Sequence, residues 1–125
     1  MKIGILTSGG DCPGINATIR GVGKTAINNY GMEVIGIRNG FSGLLYKDII
    51  ELNDAALSGI LNLGGTILGT AREKLFRKLI KSPDEKDRET IKQSFHELGL
   101  DCLVCIGGNG TQRTTWMLSE MGLNV

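Results

Sequence analysis

The run Ile106-Gly107-Gly108-Asn109-Gly110-Thr111 constrains this chain more than any other stretch. The residues before it, Leu100 to Ile106, are nearly all apolar, as a parallel strand buried on both faces requires. After it, Thr111 to Met121 places Met117, Leu118 and Met121 on one stripe of a helix. A glycine-packed turn between a strand end and a helix start gathers unpaired backbone N–H groups into a small concave nest. The positive end of the helix dipole lies behind that nest, and glycine lets an anion come close to the backbone. A plain tight turn accounts for one glycine. Three glycines, an amide and a hydroxyl within five residues point to a phosphate site.

With 125 residues the chain is long enough for one domain with a real core. Fourteen basic and 13 acidic residues leave a net charge of +1, which gives no footprint for nucleic acid or an anionic membrane. No apolar run reaches the length of a membrane span, and the N-terminus enters a strand without the layout of a signal peptide. In a chain that looks cytosolic, three cysteines, an odd number, argue for reduced thiols. Cys102 and Cys105 form a C-x-x-C inside an expected strand, where i and i+3 point to opposite faces, so they read as core residues and not as a redox or zinc pair. Cys12 falls in a loop, with nothing to activate it.

Taken in order, Lys2 to Thr7 reads as a buried first strand. The glycine-rich turn from Ser8 to Gly14 follows, with Pro13 suited to an early helical position. Ile15, Ile19, Val22 and Ala26 then mark a helical stripe, and Met32 to Ile37 a second strand. Gly40 to Gly43 reads as a turn, Asp48 to Leu52 as a short strand and Asp54 to Leu61 as a short helix. Leu63 to Arg72 is a second glycine-rich stretch, with two hydroxyls and a terminal guanidinium. Lys81 to Arg88, charged and containing Pro83, reads as an exposed loop before a helix whose stripe is Ile91, Phe95 and Leu98. Gly31, Gly99 and Gly122 each follow a helix, where glycine closes helices in a left-handed cap. Leu123 to Val125 then looks like another strand beginning, so the chain is expected to be a piece of a longer protein. His96 receives no role, and Trp116 is expected to pack.

The fold class that follows is α/β, a Rossmann-like parallel sheet with helices on both faces. Its glycine turns gather at the carboxyl edge, where such sheets bind ligands. There is no P-loop (G-x-x-x-x-G-K followed by Ser or Thr), and no G-x-G-x-x-G follows the first strand. A nest without a P-loop lysine draws positive charge from elsewhere, and Arg72 can grip phosphate through two parallel N–H bonds.

Three stretches, Gly9 to Asn16, Gly64 to Arg72 and Gly107 to Thr111, resemble the successive signatures of the phosphofructokinase family in content, order and spacing. The resemblance covers essentially the whole chain, residues 1–125, as the N-terminal, donor-binding part of that fold. It implies phosphoryl transfer from ATP or pyrophosphate, with Mg2+, to the 1-hydroxyl of fructose 6-phosphate, giving fructose 1,6-bisphosphate in glycolysis. It further implies a cytoplasmic homo-oligomer, dimer or tetramer, with no nucleic-acid or membrane partner. Residue by residue, Gly10 offers its N–H to the phosphoryl group in flight, while Arg72 contacts the donor phosphates and that group, beside Glu73. Gly108, Asn109, Gly110 and Thr111 cradle the donor phosphates and place the metal. Arg20 and Lys24, i and i+4 on the first helix, match basic positions that bind an allosteric nucleotide in bacterial members; from the residues alone they form a solvated helix face.

The chain departs from the family pattern at three places. Asn109 stands where many ATP-using members carry aspartate; its amide can lend magnesium a carbonyl oxygen but no charge. Asp54 stands where the effector pattern has arginine, and Thr114 where glycine is frequent near the adenine. The family's general base would fall beyond Val125, so these 125 residues alone are expected to be inactive. Two other readings remain: another kinase of the wider glycine-nest group, and a non-catalytic anion- or nucleotide-binding Rossmann-like module.

Overall fold

The computed structural model describes residues 1–71 and 84–125. The described residues form, in chain order, four strands and five helices: β1 (Lys2–Ser8), α1 (Ile15–Tyr30), β2 (Glu33–Ile37), α2 (Phe41–Tyr46), β3 (Ile49–Glu51), α3 (Asp54–Leu57), α4 (Glu85–Glu97), β4 (Cys102–Gly107) and α5 (Asn109–Glu120). They form one open sheet in the order β3-β2-β1-β4. β1 lies parallel to both β2 and β4, whereas β3 runs antiparallel to β2. The sheet is therefore mixed and not all-parallel. Residues 38–48, which join β2 to β3, are too few for a parallel crossover, which takes about a dozen or more.

Side-chain alternation along the strands divides the core between the two faces. Ile3 and Ile5 of β1 pack with Ile15, Ile19 and Ala26 of α1 and Leu57 of α3. Leu6 faces the other way, with Phe41 and Leu44 of α2, Ile91 and Phe95 of α4, and Leu118 of α5. The two cysteines of β4 obey the same rule, Cys102 packing on the α1 side and Cys105 on the α5 side. Burial pushes the Cys105 thiol up to about 11. The helix-ending glycines adopt left-handed backbone: Gly31 has φ 60 and ψ 29, and its N–H bonds back to the carbonyls of Ala26 and Ile27. Beyond α5, the carbonyl of Asn124 accepts the Leu103 N–H at 2.9 Å, so the last residues run beside the outer edge of β4.

Several local readings of the sequence are corrected. The stretch from Gly40 to Gly43 is not a simple turn but the start of α2; Phe41, Leu44 and Leu45 have helical spacing that the two glycines obscure. Pro13 lies outside α1, whose N-cap is Gly14. The charged residues Glu85 to Arg88 form the first turn of α4 and not a loop. Asp84 caps that helix by accepting the Asp87 N–H at 2.8 Å, and Glu85 and Asp87 suit the positive helix end. The short helix after Asn53 ends at Leu57 and does not reach Leu61. Trp116 is 67% exposed and does not pack in the core. The remainder of the expected loop, residues 81–83, lies outside the described residues.

Candidate functional site: a glycine nest at the carboxyl edge

The parallel register of β1 and β4 runs to Ser8 opposite Gly107, so both strands deliver their glycine turns at the same edge of the sheet. Gly9 turns the chain at φ 89 towards α1, and Gly108 is the N-cap of α5. The two turns are fastened to each other, because Thr111 donates its hydroxyl to the Ser8 carbonyl at 3.2 Å. Gly107 is forced by this junction, since a Cβ there would sit 2.2 Å from Thr111 Oγ1 and 2.4 Å from Ser8 O.

The neighbouring glycines have no such reason. A Cβ at Gly10, Gly108 or Gly110 would meet no described atom within 4 Å, and none of the three has a positive φ. Neither packing nor backbone geometry within the described residues explains them. What remains is open ground before a helix end. The first backbone bond received from outside α5 runs from Gln112 N–H to Gly108 O at 3.0 Å. The N–H groups of Asn109, Gly110 and Thr111 precede it and face the nest with the positive end of a 12-residue helix behind them. Such a site takes an anion with several oxygens.

A third wall comes from residues 63–71, which hold no helix or strand. Asn16, at the start of α1, donates to the carbonyls of Leu63 and Gly64 and accepts the Ile67 N–H. Thr7, near the end of β1, bonds Thr66 and Gly69 of the same loop. All three glycine-rich stretches therefore meet at one edge. Sequence reasoning gave Thr7 no part and quoted Asn16 only within a motif. The available signal was a hydroxyl in an otherwise apolar strand and an amide on the buried helix stripe.

The candidate residues divide as follows. Gly10, Gly108, Asn109, Gly110 and Thr111 lie together at this edge. Thr111 is 4% exposed with its hydroxyl turned to Ser8, so its backbone N–H is the group offered to the nest. Thr114 is also turned inward, bonding Gly110 O at 3.1 Å. Arg72 and Glu73 lie outside the described residues. Arg20 and Lys24 are elsewhere on α1, and Lys24 is bound 2.7 Å from Asp54 Oδ1. That bond, together with the charge of Lys24 and a smaller contribution from Arg20, holds the Asp54 carboxyl below its ordinary range.

Magnesium can be tested against the same residues. Among the described residues no group of three or more His, Cys, Asp or Glu side chains converges, and Asn109 brings an exposed, neutral amide. These residues do not make a magnesium site by themselves. Among the described residues no helix is long and apolar enough to cross a membrane.

An open α/β sheet with helices on both faces and glycine turns at its carboxyl edge, one of them at a helix N-terminus, belongs to the doubly wound class, whose members bind ligands at that edge. The comparison with known proteins narrows the class. The family model described as Phosphofructokinase matches residues 2–125, and the chain belongs to that family. It is 64% identical over 125 residues to the ATP-dependent 6-phosphofructokinase 3 of Bacteroides thetaiotaomicron, covering all of this chain and 37% of that enzyme. It is 43% identical over 123 residues to the pyrophosphate–fructose 6-phosphate 1-phosphotransferase of Dictyoglomus thermophilum, covering 98% of this chain and 34% of that one. Among solved structures, Pichia pastoris phosphofructokinase in the T-state superimposes with a TM-score of 0.83 at 36% identity, over 95% of this chain and 12% of the other. The chain thus spans about a third of the length of these curated relatives.

Proposed function

We propose that residues 1–125 are the donor-binding portion of a 6-phosphofructokinase that transfers a phosphoryl group from ATP to fructose 6-phosphate. The observation that carries this is the pair of glycine turns at the ends of β1 and β4, joined through Thr111 and Ser8, with unfilled space at Gly10, Gly108 and Gly110. The N–H groups at the start of α5 hold the donor phosphates, and the Gly10 N–H meets the phosphoryl group in transfer. Phosphoryl transfer asks mainly for positioning and charge stabilisation, which fixed backbone dipoles supply without reorganising. Arg72 and Glu73 complete the donor site in this proposal. The proton acceptor for the sugar hydroxyl belongs to sequence outside these residues. Magnesium would accompany the donor phosphates and offset their charge, and Asn109 would offer it a neutral carbonyl oxygen.

ATP is favoured over pyrophosphate because Gly110 leaves the helix start unobstructed. The relative at 64% identity carries the ATP-dependent name. Asp54 already neutralises Lys24, so regulation through Arg20 and Lys24 by a nucleotide is not part of the proposal. The intact enzyme is proposed to be a cytoplasmic homo-oligomer. A coupled assay for fructose 1,6-bisphosphate, run on the intact enzyme with each donor, tests the reading. Product formed from fructose 6-phosphate and ATP is expected, and no product with either donor would overturn it.

A further inference from the structure

Two buried polar side chains outside the nest, Thr7 at 0% exposure and Asn16 at 1%, spend their side-chain hydrogen bonds on one loop. Asn16 Nδ2 donates to Leu63 O at 3.1 Å and Gly64 O at 3.3 Å, while Oδ1 accepts the Ile67 N–H at 2.8 Å. Thr7 Oγ1 donates to Gly69 O at 2.8 Å. Its single proton is then used, so the 2.8 Å bond between the two threonines has Thr66 as donor. Thr66 Oγ1 in turn accepts the Leu68 N–H at 3.1 Å. A directed relay results, from Leu68 N–H through Thr66 and Thr7 to Gly69 O.

Burying these groups costs free energy that apolar side chains would not, unless each is satisfied. Leu68, 1% exposed, already packs the loop onto the core, so burial alone does not require Thr7 or Asn16. What the polar pair adds is direction. Residues 63–71 have no helix or strand to fix their path, and Gly65 and Gly69 stand at φ 70 and φ 69. Thr7 and Asn16 belong to β1 and α1, the two elements that flank the Gly9-Gly10 turn. The loop is thereby referenced to the same rigid parts as the first turn of the nest.

We infer that Thr7 and Asn16 are positioning residues that hold the 63–71 loop in register with the donor nest, without touching the donor themselves. The inference rests on the proposed donor-binding role of this edge. A loop released from either anchor samples other paths, so bound phosphate must reorder it at a cost in affinity.

The test uses the intact enzyme with two near-isosteric variants. Thr7→Val removes the hydroxyl, and Asn16→Asp sets a carboxylate against the carbonyls of Leu63 and Gly64. Equilibrium titration with ATP and with pyrophosphate is expected to show about tenfold weaker binding in each, the loss of one well-made hydrogen bond. Donor KM rises by the same factor, while the KM for fructose 6-phosphate moves by less than about twofold. Thr7→Ser, which keeps the hydroxyl, stays within about twofold of wild type. Should Asn16→Asp fail to fold, the Thr7→Val and Thr7→Ser pair decides. Unchanged donor affinity in folded Thr7→Val, or equal losses for donor and sugar, would overturn the inference. Wild-type enzyme that binds donor but forms no product would overturn the functional reading instead, and the variant-to-wild-type affinity ratio would still decide the inference.

Discussion

Thr111 and Ser8 are 103 residues apart in sequence and joined by one hydrogen bond, from the threonine hydroxyl to the serine carbonyl at 3.2 Å. The bond makes the end of β1 and the start of α5 one junction, with Gly107 wedged beneath it. Gly107→Ala drives a methyl into Thr111 Oγ1 and the Ser8 carbonyl, and backbone cannot move aside as a flexible side chain would. The expected cost is about 1–3 kcal/mol of stability. Denaturant unfolding of the intact enzyme checks it, and a midpoint equal to wild type would show that the junction relaxes freely.

Gly110→Asp addresses the donor. A Cβ at Gly110, in the first turn of α5, meets no described atom within 4 Å, so the carboxylate it carries would occupy the ground proposed for donor phosphate and repel its charge. The kcat/KM for ATP is expected to fall on the order of a hundredfold, a few kcal/mol of like-charge contact. The kcat/KM for pyrophosphate should fall less. Equal losses for the two donors in steady-state kinetics would contradict the argument.

Much of this architecture is legible in the sequence, for identifiable reasons. The apolar run at Lys2 to Ser8 is a buried strand because helices cover both faces of the sheet there, whereas the run at Cys102 to Gly107 is a strand in which only Leu103 is fully buried. The left-handed glycines at 31, 99 and 122 mark helix ends because other residues pay for that conformation. The antiparallel β3 was not legible, since a three-residue strand carries no sign of its direction. Nor was α2, six residues long with a glycine inside it. At the site, the glycine turns announced themselves by composition. The anchoring bonds of Thr7 and Asn16 join residues 47 to 62 positions apart and depend on tertiary placement.

The Lys24–Asp54 pair gives a prediction about pH and charge. Asp54 has its pKa lowered, chiefly by its hydrogen bond to Lys24, so the pair is intact above the ordinary aspartate range. It is lost only as pH falls through the lowered value. Across neutral pH the lysine is therefore occupied by an internal carboxylate. Kinetics of the wild-type enzyme at pH 7–8 are expected to be indifferent to inorganic phosphate acting at Lys24, whereas Asp54→Asn frees the ammonium and introduces a phosphate response. Phosphate sensitivity in wild type that Lys24→Ala abolishes would refute the assignment.

The cysteines should separate by reactivity. Cys12 is exposed, while Cys105 is half-buried with its pKa raised to about 11. A raised acid pKa keeps the thiol protonated, so at pH 8 its thiolate fraction is on the order of one in a thousand. Peptide mapping after brief iodoacetamide treatment of the native enzyme is expected to find the label on Cys12 well before Cys105. The reverse order would show that the α5 face of β4 opens readily.

The central claim is that the open ground at Gly108 belongs to the donor phosphates. Unlike Gly107, Gly108 meets no described atom and has negative φ, so Gly108→Ala should leave stability within about 0.5 kcal/mol of wild type. The decisive measurement is calorimetric titration of ATP into the intact enzyme and into Gly108→Ala, with thermal unfolding recorded on both. A loss of affinity of about tenfold or more at an unchanged unfolding temperature is expected. Equal ATP affinity in the two proteins would contradict the claim.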